Sequence, residues 1–205
     1  MEIHKVAVLG AGTMGAGIAQ VCAQVGCDVS LSDVDKAQAQ AGRERIAAFL
    51  EKGIARGKGT PEERDAVLSR VRPVTGLAAA GDCDLLVEAA PEDLELKRGI
   101  FAEAARIAPK SALLATNTSS LPIRRIAEGN PAAPRIVGMH FFNPVPLMKL
   151  LELVVGPETS KSTVDGARAF GERLEKEVIV VRDAPGFASS RLGICLAMEA
   201  IWMVE

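Results

Sequence analysis

The sequence contains no C-x-x-C pair. Its four cysteines, Cys22, Cys27, Cys83 and Cys195, are scattered along the chain. That spacing argues against a zinc site or a disulfide framework and reads as small core residues in a reducing compartment. There is no large charge excess either. The net charge is −2 over 205 residues, so nothing global points to a nucleic acid or a membrane surface as partner, and an anionic ligand has to be met by local charge. No uninterrupted apolar run approaches the ~20 residues that span a bilayer. The first strand begins within five residues of Met1, which leaves no room for a signal peptide. The expectation is a cytoplasmic protein. Repeats and low-complexity segments are also lacking. A hydrophobic content of 48% beside 24% charged residues suits a globular chain with one sizeable core and the start of another.

What is present begins at residues 5–33. Val6 to Leu9 form a short apolar run, suited to a buried parallel strand. Gly10, Gly12 and Gly15 follow in G-x-G-x-x-G spacing. The first glycine allows a tight turn, the second lets backbone approach a pyrophosphate, and the third lets helix and strand pack closely. Thr13 and Met14 join them as expected cofactor contacts. Met14, Ile18, Val21, Cys22 and Val25 then repeat at helical spacing, and Gly26 is placed to end that helix. Val29 to Ser32 make a second strand with Asp33 at its end. A carboxylate there accepts ribose hydroxyls and repels a 2′-phosphate, favouring NAD over NADP. A lone glycine pattern is weak, but this one sits between strand and helix, with the acid 18 positions after the last glycine, and that context makes dinucleotide binding the preferred reading over an empty glycine turn.

A long helix spans about Lys36 to Arg56, with Ala41, Ile46, Phe49, Leu50 and Ile54 at helical spacing. Lys52, Arg56 and Lys58 cluster at its end. On residue pattern alone they read as dipole-complementing surface charge, with a phosphate-binding patch as the alternative. Thr60, Pro61 and Glu63 open the next helix with a capping box. The two helices make an arm, about 36–71, between the second strand and a third at Val71 to Thr75. A fourth strand lies within Cys83 to Ala90. The following helix is expected to point Leu96, Ile100, Phe101, Ala104 and Ile107 inward. Glu92 and Lys97 lie near the expected cleft, although both suit ordinary helix-start and solvent-facing charge. Leu113 to Ala115 make a fifth strand. Thr116, Asn117, Thr118, Ser119 and Ser120 follow it. One of these serines suffices to cap the short helix at Ile123 to Ala127, so the excess points to a ligand.

A sixth strand, Arg135 to Met139, is followed by His140. A seventh, Leu150 to Val155, carries Glu152. A carboxylate inside a strand is unfavourable unless partnered. The connection between them contains Pro144 and Pro146 and could return the seventh strand beside the sixth, bringing Glu152 to His140. A histidine held this way has a fixed tautomer and can take a proton. His4 reads as a surface residue. A helix at Ser160 to Lys176, a strand at Glu177 to Val181 and an apolar helix from Phe187 complete the chain.

Together these motifs resemble the L-3-hydroxyacyl-CoA dehydrogenase family, which includes bacterial 3-hydroxybutyryl-CoA dehydrogenases. The marks are Gly10 to Gly15, the run Val87 to Lys97, Asn117-Thr-Ser-Ser120 and Gly138-Met-His-Phe-Phe-Asn-Pro-Val-Pro-Leu-Met-Lys149. The last is far more specific than the glycines and argues against FAD. The resemblance implies an α/β fold: a Rossmann-type, doubly wound, mostly parallel sheet over 1–184, with the inserted arm, followed at 185–205 by the first helix of an all-α domain that is otherwise missing. It implies an NAD-dependent oxidoreductase of fatty acid metabolism (β-oxidation) acting on an acyl-CoA, and a homodimer. By the same resemblance His140 is the general base, Glu152 orients it, and Ser119 bonds the substrate's 3-oxygen. Asp33, Glu92, Lys97, Asn117 and Asn143 serve the cofactor. The arm residues Lys52, Arg56 and Lys58 become a coenzyme A clamp, reversing the residue-level preference. Ser190 stands where many relatives have an asparagine in the active site. Two alternatives remain: a gulonate-type hydroxy-acid dehydrogenase of the same family, and a chain that binds NAD without turnover.

Overall fold

The computed structural model describes residues 2–204. Eight strands form one sheet: β1 (Lys5–Leu9), β2 (Asp28–Asp33), β3 (Val71–Thr75), β4 (Leu85–Glu88), β5 (Leu113–Thr116), β6 (Ile136–Phe141), β7 (Leu150–Val155) and β8 (Glu177–Arg182). Their spatial order is β3-β2-β1-β4-β5-β6-β7-β8. Every neighbouring pair is parallel except β6 and β7. The helices are α1 (Thr13–Gln24), α2 (Lys36–Ile54), α3 (Pro61–Arg70), α4 (Leu94–Ile107), α5 (Ile123–Ala127), α6 (Lys161–Arg173) and α7 (Ser189–Trp202).

Strand residues alternate between the two faces. Val6 and Val8 join the cluster under α1, α2 and α6, while Ala7 and Leu9 join the one under α4 and α5. Helices therefore cover both faces, which is why β4 and β5 are apolar without alternation. The chain winds outward from β1 to β3, then crosses back to β4. That reversal opens a crevice beyond the carboxyl ends of β1 and β4, the place where open α/β sheets bind ligands.

The glycines make the crevice possible. A Cβ on Gly15 would stand 1.7 Å from the Gly10 carbonyl oxygen, and one on Gly10 would stand 2.5 Å from that of Ala89. A Cβ on Gly12 would meet nothing within 4 Å, so this glycine leaves its space open toward the cleft. Gly26, at φ +85°, ends α1.

The arm is formed by α2 and α3, and β3 takes Val71. The capping box at Thr60 and Glu63 is present. The inner half of α2 is seated on the body through Ala39, Gly42 and Ile46, whereas Lys52, Arg56 and Lys58 stand exposed at the outer end.

Three expectations need correction. Leu96 is exposed, because α4 turns Phe101 and Ala104 to the sheet and leaves Leu96 at the cleft rim. His140 lies inside β6 rather than after it, because pairing with β7 continues to Phe141. Cys195 is exposed rather than a core residue, since α7 has no buried residue. The other three cysteines are buried, and burial pushes the Cys83 thiol up to about 12. Among the described residues no helix is long and apolar enough to cross a membrane.

Candidate active site

The loops after β1, β4, β5 and β6 meet at one edge of the sheet. Between the first two lies a cleft of about 620 Å³, lined by Gly10, Gly12, Thr13, Met14 and Asp33 on one side and Ala89 to Pro91 on the other. At its floor α1 begins with no side-chain cap and no acidic residue in its first turn. Its free N–H groups and positive dipole end suit a pyrophosphate. Asp33 is half-buried and already holds the loop. Its Oδ2 accepts the Ala11 N–H at 2.7 Å and its Oδ1 the Val34 N–H at 2.8 Å. Each carboxylate oxygen retains a second acceptor site for a ribose hydroxyl. Open glycine space, uncapped N–H donors and an acid at the end of β2 fit NAD.

Behind the cleft wall runs a buried polar network that sequence reading missed in part. Lys97 is not solvent-facing. It is 1% exposed, and its Nζ donates to Oε1 of the fully buried Glu88 at 2.6 Å. Glu88 Oε1 also accepts the Ala90 N–H at 2.7 Å, and Oε2 accepts the Thr116 hydroxyl at 2.6 Å. The pair thus fixes the loop after β4 and the end of β5 from below. A carboxylate at the end of an otherwise apolar strand was the available signal for Glu88, which pattern reading passed over.

Glu92 shapes the loop after β5. Its Oε1 accepts the Thr118 hydroxyl at 2.6 Å, the N–H groups of Ser119 and Ser120 at 3.1 Å each, and the Ser120 hydroxyl at 3.1 Å. Burial alone pushes the Glu92 pKa up; the Thr118 hydroxyl, Lys97 and Ser120 outweigh it and hold the carboxyl below its ordinary value. Neither Ser119 nor Ser120 caps α5, whose N-cap position is Pro122, with no side-chain cap. Ser119 is exposed, and its hydroxyl makes no hydrogen bond among the described residues. Asn117 accepts the Phe141 N–H through Oδ1 at 2.9 Å, tying the end of β5 to that of β6.

His140 and Glu152 meet on the antiparallel seam. They are register partners, with Nδ1 and Oε2 2.6 Å apart. Glu152 is fully buried, not solvent-facing, and His140 is 5% exposed. The ring of Phe142 lies 4.6 Å away centroid to centroid, and that of Phe187 lies edge-on at 5.7 Å. The rest of the Glu152 carboxylate is satisfied by the start of α7. Oε1 accepts the N–H groups of Ala188 at 3.2 Å and Ser189 at 2.8 Å, and Oε2 the Ser189 hydroxyl at 2.8 Å. Burial raises the Glu152 pKa, but the bonds from His140 and Ser189 prevail and hold it below the ordinary value. An ionised Glu152 accepts from Nδ1–H, which leaves Nε2 as the basic atom. The contact is made by Ser189; its neighbour Ser190, which stands at the position of the relatives' asparagine, is half-buried and has no bond to Glu152. The adjacent serines are indistinguishable in sequence, and the register of the turn after Gly186 selects between them.

Asn143 is exposed at the rim of a smaller cavity of about 100 Å³ that shares Thr13 and Arg45 with the cleft. Lys52, Arg56 and Lys58 make no side-chain ion pair among the described residues, whereas Arg64 beside them is taken up by Glu51 and Asp65. The three are therefore available to an anion.

Comparison with known proteins agrees with this geometry. Residues 5–184 match the family model described as 3-hydroxyacyl-CoA dehydrogenase, NAD binding domain. The chain is 40% identical over 204 residues to a protein of Bacillus subtilis named probable 3-hydroxybutyryl-CoA dehydrogenase, covering 100% of this chain and 71% of that one. It superposes on the crystal structure of FadB2 from M. tuberculosis with a TM-score of 0.95 at 39% identity, covering 100% of this chain and 72% of the other. It superposes on (S)-3-hydroxybutyryl-CoA dehydrogenase from Ralstonia eutropha with a TM-score of 0.94 at 38% identity, covering 97% and 70%.

Proposed function

The chain belongs to the 3-hydroxyacyl-CoA dehydrogenase family, with NAD as its cofactor, and on that premise we propose that it oxidises an L-3-hydroxyacyl-CoA reversibly to the 3-ketoacyl-CoA with His140 as general base. The observation that carries the proposal is the buried Nδ1–Oε2 contact of 2.6 Å between His140 and Glu152. A proton on Nδ1 leaves the Nε2 lone pair free. His140 takes the hydroxyl proton there as the C3 hydride departs and the carbonyl forms. The imidazolium is stabilised by Glu152, which the Ser189 contacts hold in place. NAD, when bound, supplies the hydride acceptor. In the reverse direction the same Nε2 returns the proton. Ser119, with an uncommitted hydroxyl on a loop fixed by Glu92, holds the 3-oxygen.

The exposed cations Lys52, Arg56 and Lys58 bind the phosphates of coenzyme A. Their retention favours a CoA thioester over the free hydroxy acid of a gulonate-type relative. We assign 1–184 to the NAD-binding unit and 185–205 to the start of a helical one, since Leu192, Ile194, Leu196, Ile201 and Trp202 of α7 are all exposed. These exposed side chains support the second reading, binding of NAD without turnover. The test is oxidation of NADH by the purified chain with acetoacetyl-CoA, with NADH binding followed in parallel by fluorescence. Turnover supports the dehydrogenase reading. Saturable binding without turnover supports the second. A chain that is folded yet binds no NADH contradicts both.

A further inference from the structure

Among the described residues that line the cleft, only two carry charge. Asp33 is the single acid and Arg45 the single base. Arg45 was not singled out by its sequence position, where it is one of several charges on a long helix. The structure sets it apart. One turn before it, Gly42 lets α2 approach the glycine loop so closely that a Cβ there would stand 2.6 Å from the Ala11 Cβ. This contact carries Arg45 over the loop, where its Nη1 donates to the Ala11 carbonyl oxygen at 3.1 Å. Ala11 is thus held at both ends, its N–H by Asp33 and its carbonyl by Arg45. A guanidinium has five N–H donors. One is used here, and among the described residues Arg45 has no carboxylate partner and no second hydrogen bond. The side chain is exposed.

Charge balance gives those remaining donors a task. The dinucleotide brings two phosphate charges to the N-terminus of α1. The helix end offers roughly half an elementary charge, and Asp33 beside it is repulsive to phosphate. Among the described residues of the cleft lining Arg45 supplies the only full positive charge, in a planar fork that matches phosphate oxygens.

We propose that Arg45 recognises the cofactor pyrophosphate: it clamps the glycine loop through Ala11 and turns its remaining donors to the phosphate oxygens. The proposal rests on the assignment of this cleft to NAD. It assigns the two ends of the adenosine diphosphate to two residues, with Asp33 reading the ribose and Arg45 the phosphates.

Two ligands separate a phosphate contact from a merely structural clamp. NADH carries the pyrophosphate and adenosine does not, yet both need an intact loop. Binding of each to the wild-type chain, Arg45→Gln and Arg45→Lys is measured across a series of salt concentrations. In Arg45→Gln the Kd for NADH should rise about tenfold, the loss of one charge-assisted contact. Its salt dependence should flatten, and adenosine affinity should stay where it was. Arg45→Lys, which keeps the charge and loses the fork, should fall between. Equal loss of NADH and adenosine affinity would overturn the proposal in favour of a loop clamp alone, as would unchanged NADH binding. Failure of the wild-type chain to bind NADH would overturn it together with the cofactor reading on which it depends.

Discussion

His140 and Glu152 face each other across the single antiparallel seam of the sheet, register partners with Nδ1 and Oε2 2.6 Å apart. The reversal of strand direction at β7 is what creates this pairing. It places a carboxylate opposite the histidine at the sheet's ligand-binding edge, and the start of α7 then closes over it through Ser189. The Glu152 carboxylate is held below its ordinary pKa of 4.5 by those partners, against the effect of burial. The unfolded chain therefore binds more protons than the folded one just below that value. Stability from this group is fully present above the unfolded pKa and is lost as pH falls through the folded one. Urea midpoints measured from pH 7 down to pH 3 should decline more steeply in the wild type than in Glu152→Gln, which cannot titrate. Parallel declines would contradict the argument.

On this account Asp33 has two tasks: the carboxylate assigned to the ribose also accepts the Ala11 N–H. Asp33→Ala should weaken NADH binding and narrow the discrimination against NADPH, because the charge that repels a 2′-phosphate is gone. It should also lower stability by about 1.5–3 kcal/mol, the usual net worth of a hydrogen bond to a charged group. Kd values for both nucleotides, with a denaturation curve on the same protein, check this. An unchanged NADH to NADPH ratio would count against the ribose role.

The Glu88–Lys97 pair is buried on both sides. Lys97→Met removes one partner and leaves a carboxylate without its cation. The expected destabilisation is about 3–5 kcal/mol, as for other broken buried pairs. Neutralising both, Glu88→Gln with Lys97→Met, should recover part of it. A double variant less stable than Lys97→Met would show that the pair acts through something other than charge compensation.

Much of this was legible before the structure, wherever a local rule governed. The glycine spacing gave the turn after β1, Thr60 and Glu63 gave the start of α3, and β3 and β7 keep the limits expected for them. Glu152 was traceable because a carboxylate in an apolar strand needs a partner and the proline-containing connection could supply one. What was illegible depends on tertiary register. Lys97 sits among Glu95 and Arg98, where a helix surface and a buried ion pair look alike. Ser189 and Ser190 are chemically the same, and only the path of the chain after Gly186 sets which of them reaches Glu152. Arg45 gains its place from Gly42, whose close contact with Ala11 joins residues far apart in sequence.

The most direct test of the account is turnover by His140→Gln, measured with NADH and acetoacetyl-CoA alongside NADH affinity. Glutamine keeps a similar size and cannot take the proton. The account predicts that kcat falls by at least ~10² while NADH binds as before. Near-normal turnover in that variant would contradict the assignment of His140 as the base.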